Sequence, residues 1–182
     1  MVRAKPKVAQ PLKLDLGCGQ VKREGFIGVD IAEAPGVDVV HDLTKYPYPF
    51  QDNSVEEIHC SHFLEHLTSS QRIRFMEECY RILQKDGRLG IIVPSGMSER
   101  FFQDPTHQWP PLVPASFLYF NRKWVMDNKL DHQHNYKCDY DFGYGFNLDG
   151  ATANKHEEAR AFAIKHYWNA TSDLIVNLVK RA

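Results

Sequence analysis

Along the first half of the chain, short apolar runs alternate with polar turns marked by glycine and proline. The pattern predicts strands over Leu12–Leu16, Phe26–Ile31, Val37–His41, Val55–Cys60 and Arg88–Val93, the last stopped by Pro94. One helix is marked at both ends. Thr68-Ser69-Ser70-Gln71 has the form of a capping box, with Thr68 as N-cap and Gln71 reaching back. Ile73, Met76, Tyr80 and Leu83 then recur at helical spacing. Lys85-Asp86-Gly87 supplies a cationic last turn and a left-handed glycine stop. Beyond Pro94 the pattern changes. A short helix is expected from Pro114 or Ala115. Residues 127–156 are polar, aromatic and glycine-rich and predict an irregular insert. The whole of 96–156 is expected to act as a lid and substrate-recognition region. Ala161–Trp168 and Leu174–Val179 look like strands joined by Asn169–Ser172 into an antiparallel hairpin.

These elements predict an α/β fold with a mostly parallel sheet of about seven strands, in one domain over residues 11–182. Only residues 17–25 separate the first two strands, and fewer separate the second from the third. A parallel crossover normally takes a dozen residues or more. The early helices must therefore be trimmed to a turn or replaced by loop.

The 182 residues amount to one domain, and 43% hydrophobic with 25% charged residues is an ordinary globular balance. A net charge of -1 gives no basic surplus, which argues against a general nucleic-acid binder. No apolar run approaches the roughly 20 residues that span a bilayer, so no membrane partner is expected. Residues 1–10 are basic without an apolar stretch and are expected to be a loose tail, not a secretory signal. Cys18, Cys60, Cys79 and Cys138 are scattered, as free thiols are in a reducing cytoplasm.

Candidate chemistry begins at Leu14-Asp15-Leu16-Gly17-Cys18-Gly19. A strand running into Gly-x-Gly lets a ligand approach backbone that carries no side chain. A dinucleotide site would want a third glycine and a carboxylate roughly 20 residues on. Here Lys22 stands at the third position and Asp30 arrives too early. No GxxxxGK[ST] occurs, which excludes a P-loop.

Further motifs follow in order: Gly28-Val29-Asp30-Ile31, His41-Asp42-Leu43, Ser61-His62-Phe63-Leu64-Glu65-His66, and Leu83-Gln84-Lys85-Asp86-Gly87-Arg88-Leu89. With the glycine turn, this series resembles the small type 11 members of the class I S-adenosylmethionine-dependent methyltransferases. The resemblance covers about Leu12–Pro94 and the C-terminal hairpin. It implies a Rossmann-like sheet, S-adenosylmethionine as cofactor and S-adenosylhomocysteine as product. It also implies roles. Gly17 and Gly19 would approach the methionine part, with Cys18 as a small packing residue between them. Asp15 would sit near the cofactor amino group. Asp30, followed by Ile31, would accept hydrogen bonds from both ribose hydroxyls, at roughly 1.5–3 kcal/mol for each charge-assisted bond. Asp42 would accept from the adenine amino group, with Leu43 packing nearby. Ser61 and His62 would face cofactor and acceptor, while Glu65 is either a local cap or a functional group.

Methyl transfer from a sulfonium is an in-line displacement, so much of the acceleration comes from alignment. A hydroxyl acceptor also needs a base. The candidates are His62, His107 and Asp104. The Asp104-Pro105-Thr106-His107 stretch follows the fifth strand, where active-site loops of open α/β sheets lie. His107 also fits a loop histidine that orders the lid, and His62 one that packs beneath the cofactor. Asp131-His132-Gln133-His134, with Cys138 and Asp139, has ligand-type side chains but lacks paired spacing, and no metal is expected there. Neither the [DN]PP[YFW] motif nor a Pro-Cys nucleophile pair is present, which disfavours DNA base methylation. Aromatics such as Phe101, Phe102, Trp109, Tyr119, Trp124 and Tyr144 suit a pocket for a small-molecule, glycan or nucleotide acceptor, methylated on oxygen. The other readings are a non-catalytic cofactor-binding partner and an enzyme using the same cofactor for different chemistry. The oligomeric state is left open.

Overall fold

A computed structural model describes residues 12–181; the expected N-terminal tail, 1–10, lies outside the described residues. The strands are β1 Leu12–Leu16, β2 Ile27–Asp30, β3 Val39–Val40, β4 Val55–Ser61, β5 Leu83–Pro94, β6 Tyr140–Leu148 and β7 Thr171–Lys180. They form one sheet of order β3-β2-β1-β4-β5-β7-β6. The first five run parallel, and β7 lies antiparallel between β5 and β6. The helices are α1 Ser69–Ile82, α2 Glu99–Phe102, α3 Arg122–Asp127, α4 Gly150–Ala153 and α5 Glu157–His166. Tight 3-10 turns cover Leu64–His66 and Pro114–Phe120.

The expected capping box opens α1: the Gln71 N–H donates to Thr68 Oγ1 at 3.4 Å and the Thr68 N–H to Gln71 Oε1 at 2.9 Å. Its buried stripe is Arg72, Phe75, Met76, Cys79 and Ile82, with Ile73 and Tyr80 at its edges. The helix ends at Ile82, before the expected Lys85-Asp86-Gly87 stop, because Leu83 already pairs with Val55 as the first residue of β5. The left-handed residue is Asp86 (φ 61°), not Gly87. Gly87 is required for a different reason: a Cβ there would stand 2.8 Å from Gln84 O.

As expected from the short connections, neither residues 17–26 nor residues 31–38 contain a helix. The consequence is a sheet covered on one face. Leu14, Leu16, Ile58, Cys60, Leu89, Ile91, Leu174 and Val176 share that face, all fully buried, with Phe75 and Met76 of α1 in the same core. The opposite face carries His59, Gly90, Ile92, Ile175 and Asn177, half-buried or exposed. This explains the apolar–polar alternation of these strands. Parallel strands covered on both faces read instead as continuous apolar runs.

The C-terminal half departs from the sequence-based expectation. Ala161–Trp168 is not a strand, since residues up to His166 belong to α5. That helix is N-capped by His156, with Glu157 and Glu158 in its first turn and Lys165 and His166 in its last, which suits the helix dipole. A short apolar run such as Ala161–Ile164 does not distinguish strand from helix. The antiparallel partner of β7 is β6, in register from Tyr140↔Lys180 to Leu148↔Thr171. Thus residues 140–148 of the supposedly irregular insert form a regular edge strand. Tyr140 is fully buried and donates its hydroxyl to Met76 O at 3.0 Å, tying that edge to α1. No helix among the described residues is long and apolar enough to cross a membrane.

Phe75→Ala would leave a cavity between α1 and the covered face. The expected loss is about 3–5 kcal/mol, measured by urea denaturation with unchanged m-value.

Candidate active site

The strand order reverses at β1, which has β2 on one side and β4 on the other. In open α/β sheets the crevice at such a reversal, beyond the strands' C-terminal ends, is the binding position. The chain leaves β1 through Gly17 (φ 74°) and Gly19 (φ 59°). The N–H groups of this turn are all used internally. Gly17 and Cys18 donate to Val29 O at 2.9 and 3.3 Å, and Gly19 donates to Asp30 Oδ2 at 2.8 Å. The turn therefore offers a ligand its carbonyls and open space, not the free N–H donors the glycine pattern suggests. The two glycines differ. A Cβ on Gly17 would stand 2.8 Å from the Phe63 ring, whereas a Cβ on Gly19 would meet nothing within 4 Å.

Asp15, Gly17, Cys18 and Ser61 come together around a cavity of about 370 Å³, with Lys22 and Arg23 on its other side. Asp15 is 5% exposed, and its Oδ2 accepts the Arg23 N–H at 2.7 Å. Cys18 donates its thiol to Gly36 O at 3.5 Å, and burial pushes its pKa up, as suits a packing residue. Asp30 ends β2, its Oδ1 accepting the Ile31 N–H at 2.7 Å; the Ile31 side chain is exposed. Asp42 follows β3. Thr44 donates to it from the hydroxyl at 2.6 Å and the backbone at 2.9 Å, and these bonds hold the carboxylate below its usual range. Leu43 is a core side chain whose carbonyl accepts the Tyr48 hydroxyl at 2.9 Å.

A second group assembles just past β4. His62 takes a left-handed conformation (φ 53°), while its N–H donates to Ile92 O at 2.8 Å. Its imidazole is 42% exposed and lies between two buried carboxylates: Nδ1 is 3.3 Å from Glu65 Oε1 and Nε2 is 4.0 Å from Asp173 Oδ1. Glu65 is the main cause of a raised His62 pKa, against the opposing effect of burial. His107 is buried against Phe101, with Nδ1 2.7 Å from Phe101 O. A carbonyl only accepts, so Nδ1 carries a proton; in the neutral imidazole Nε2 then carries the lone pair. Asp104 Oδ2 is 3.7 Å from that Nε2, while its Oδ1 accepts the Thr106 hydroxyl at 2.7 Å and the Thr106 N–H at 2.8 Å. The Thr106 bonds hold the Asp104 carboxylate below its usual range.

His66 and Asp173 were missed as candidates. His66 had a local signal, standing four residues after His62 on one short segment. Asp173 had none; the antiparallel pairing of β7 with β5 sets it opposite Pro94. Of the aromatics between β5 and β6, Phe101 and Phe117 are core. Phe102 and Trp109 are instead about half exposed or more, and Phe102 stands between Trp109 and Trp168, which follows α5, with ring centroids 6.4 and 5.5 Å away. Of the ligand-type residues between Asp131 and Asp139, two are engaged in other bonds. His134 Nδ1 is 3.0 Å from the Tyr136 hydroxyl, and Asp139 accepts the Arg122 N–H at 2.9 Å.

Sheet order, glycine turn and strand-end carboxylates together define the class I methyltransferase architecture. A family model described as "Methyltransferase domain", of the type 11 group, matches residues 14–91. The fold is similar to a SAM-dependent methyltransferase from Archaeoglobus fulgidus, 20% identical, covering 92% of this chain and 85% of that one at a TM-score of 0.63. It is also similar to a candidate S-adenosylmethionine-dependent methyltransferase from Listeria monocytogenes, with 12% identity, coverage of 98% and 94%, and a TM-score of 0.58. A third likeness is to the complex of the Haloferax volcanii Trm112 methyltransferase activator with a candidate methyltransferase, at 15% identity, coverage of 94% and 82%, and a TM-score of 0.56. No significant match appears among curated protein sequences. Residues 14–91 thus match a methyltransferase domain, within a fold shared with S-adenosylmethionine-dependent methyltransferases.

The two glycines should separate in a stability assay. Gly19→Ala is expected to cost roughly 1–2 kcal/mol, the penalty of left-handed backbone alone. Gly17→Ala should cost more in the same denaturation series, because Phe63 must also move.

Proposed function

We propose that this methyltransferase acts on a hydroxyl oxygen of a ring-bearing small molecule, sugar or nucleotide, with residues 96–139 as the recognition region. The observation that carries this reading is the position of His62. It is the exposed imidazole at the end of β4, set between two buried carboxylates.

S-adenosylmethionine supplies a methyl group that needs no further activation. Fitting it requires acceptors for its ribose hydroxyls and amino groups; Asp15 lines the cavity beyond β1, while Asp30 and Asp42 lie outside that lining, at the ends of β2 and β3. Asp30 keeps lone pairs beyond those used by Gly19 and Ile31 and takes the ribose. Asp42 takes the adenine edge. Asp15 and the carbonyls of the glycine turn take the methionine amino group, and the space beside Gly19 admits the chain. Ser61 and His62 then stand between cofactor and acceptor. His62 removes the hydroxyl proton as the oxygen attacks, and the adjoining Asp173 steadies the imidazolium that forms. His107 is a positioning residue in this scheme, since its side chain is 7% exposed and its Nδ1–H is committed to Phe101 O. Phe102, Trp109 and Trp168 offer ring faces on which a sugar or base stacks. The net charge of -1 supports a small acceptor over a nucleic-acid polymer.

The direct test is incubation with isotopically labelled S-adenosylmethionine and a metabolite extract, followed by identification of the labelled product. Labelled methyl on oxygen supports the reading. Label on nitrogen or on nucleic acid, or cofactor binding without turnover, overturns it. Asp30→Ala should weaken cofactor binding by at least about tenfold in calorimetry, from the loss of charge-assisted bonds. His62→Ala should lower kcat by about 100-fold or more with cofactor affinity unchanged.

A further inference from the structure

Glu65 is a buried carboxylate, 1% exposed, beside His62 and Arg72 that nonetheless makes no hydrogen bond through either oxygen. His62 Nδ1 comes within 3.3 Å of it but without hydrogen-bond geometry. A carboxylate so placed is strongly unfavourable unless a cation meets it.

Two imidazoles stand where such a cation would sit. Glu65, His66 and His107 each present one ligand atom within 4.8 Å of the other two. The His66 and His107 rings lie 4.9 Å apart. Both imidazoles are held in the state a metal requires. His107 donates through Nδ1 to Phe101 O at 2.7 Å, which leaves Nε2 with its lone pair. The Thr106 hydroxyl gives its one proton to Asp104, so at 2.9 Å it accepts from His66 Nδ1, which likewise leaves Nε2 free. Such outer bonds, to a carbonyl and to a carboxylate-anchored hydroxyl, are what orient histidine ligands in metal sites. Asp104 Oδ2, 3.7 Å from His107 Nε2, is at hand as a further oxygen ligand.

We propose that Glu65, His66 and His107 bind one divalent first-row transition ion, with Zn²⁺ as the reference. Two imidazoles and a carboxylate favour such an ion over Mg²⁺ or Ca²⁺. Ligand atoms about 2.0–2.2 Å from an ion lie roughly 3.4 Å from one another. The three groups, within 4.8 Å of one another, would therefore draw together by up to about 1.4 Å around an ion. Three protein ligands leave a coordination position open, as in catalytic sites. Glu65 also adjoins His62, so an ion held here would lie near the imidazole assigned to the acceptor. That last step rests on the proposed methyl transfer to oxygen; ion binding does not.

The test uses the full chain without an affinity tag and with neither cofactor nor acceptor. Co²⁺ is titrated with detection of its d–d absorption, and Zn²⁺ by calorimetry. One ion per chain is expected. Glu65→Gln and His107→Ala should each weaken binding at least tenfold. Zn²⁺ should raise the melting temperature of the natural chain and leave Glu65→Gln unmoved. Metal-free Glu65→Gln should melt no lower than the natural chain, because it removes a buried charge that no hydrogen bond supports. If either buried variant misfolds, exposed His66→Ala decides in its place: tenfold weaker binding supports the site and unchanged binding overturns it. Absent d–d bands with no Zn²⁺ heat, or equal binding by the natural chain and its variants, overturns the proposal. Ion binding by a chain that does not methylate oxygen upholds the site and sinks the acceptor reading; labelled O-methyl product from a chain that binds no ion does the reverse.

Discussion

The turn after β1 passes so close to Phe63 that no side chain fits between them; a Cβ on Gly17 would come within 2.8 Å of the ring. Phe63 in turn packs on Phe75 of α1, with ring centroids 5.8 Å apart. This contact joins three parts of the molecule. It sets the glycine turn against the segment carrying His62, Glu65 and His66. It also ties both to the buried helix that covers the sheet. The spacing between the glycine turn and the His62 segment is therefore a packing distance inside the core, and close-packed interiors do not deform continuously.

The two halves of the site treat carboxylates differently. Asp15, Asp30 and Asp42 each accept bonds from backbone N–H groups of Arg23, Ile31 and Thr44. These bonds fix the orientation of the three carboxylates. Glu65 has no such support, and Asp173 keeps one oxygen unpartnered. Both adjoin His62. Unsatisfied buried acceptors are costly in folding and mark where a proton or cation is handled.

The bare sheet face follows from economy in the connections. With no helix in residues 17–26 or 31–38, the strands keep polar and half-exposed residues on one side. The candidate site is not affected, because its residues sit at the strand ends and in the loops beyond them. The covered face alone carries the core, which makes α1 and the β6–β7 pair disproportionately important to stability.

Local order was legible from the residues alone. The capping box, the glycine turn, Asp30 at a strand end and the trimmed crossovers depend on neighbours within a few positions. Their physics is that of backbone geometry and short-range hydrogen bonds. Two things lay beyond that range. One was the partner of β7: Glu157–His166 is helical and Tyr140–Leu148 extended because each settles against distant segments, and short apolar runs carry no such information. The other was the company of His62. Asp173 reaches it from the far end of the chain through antiparallel pairing, and His107 meets Glu65 and His66 only when the loop after β5 folds back. Burial and proximity between remote residues are properties of the packed chain, so the Glu65 carboxylate, buried without a hydrogen bond, became visible only in three dimensions.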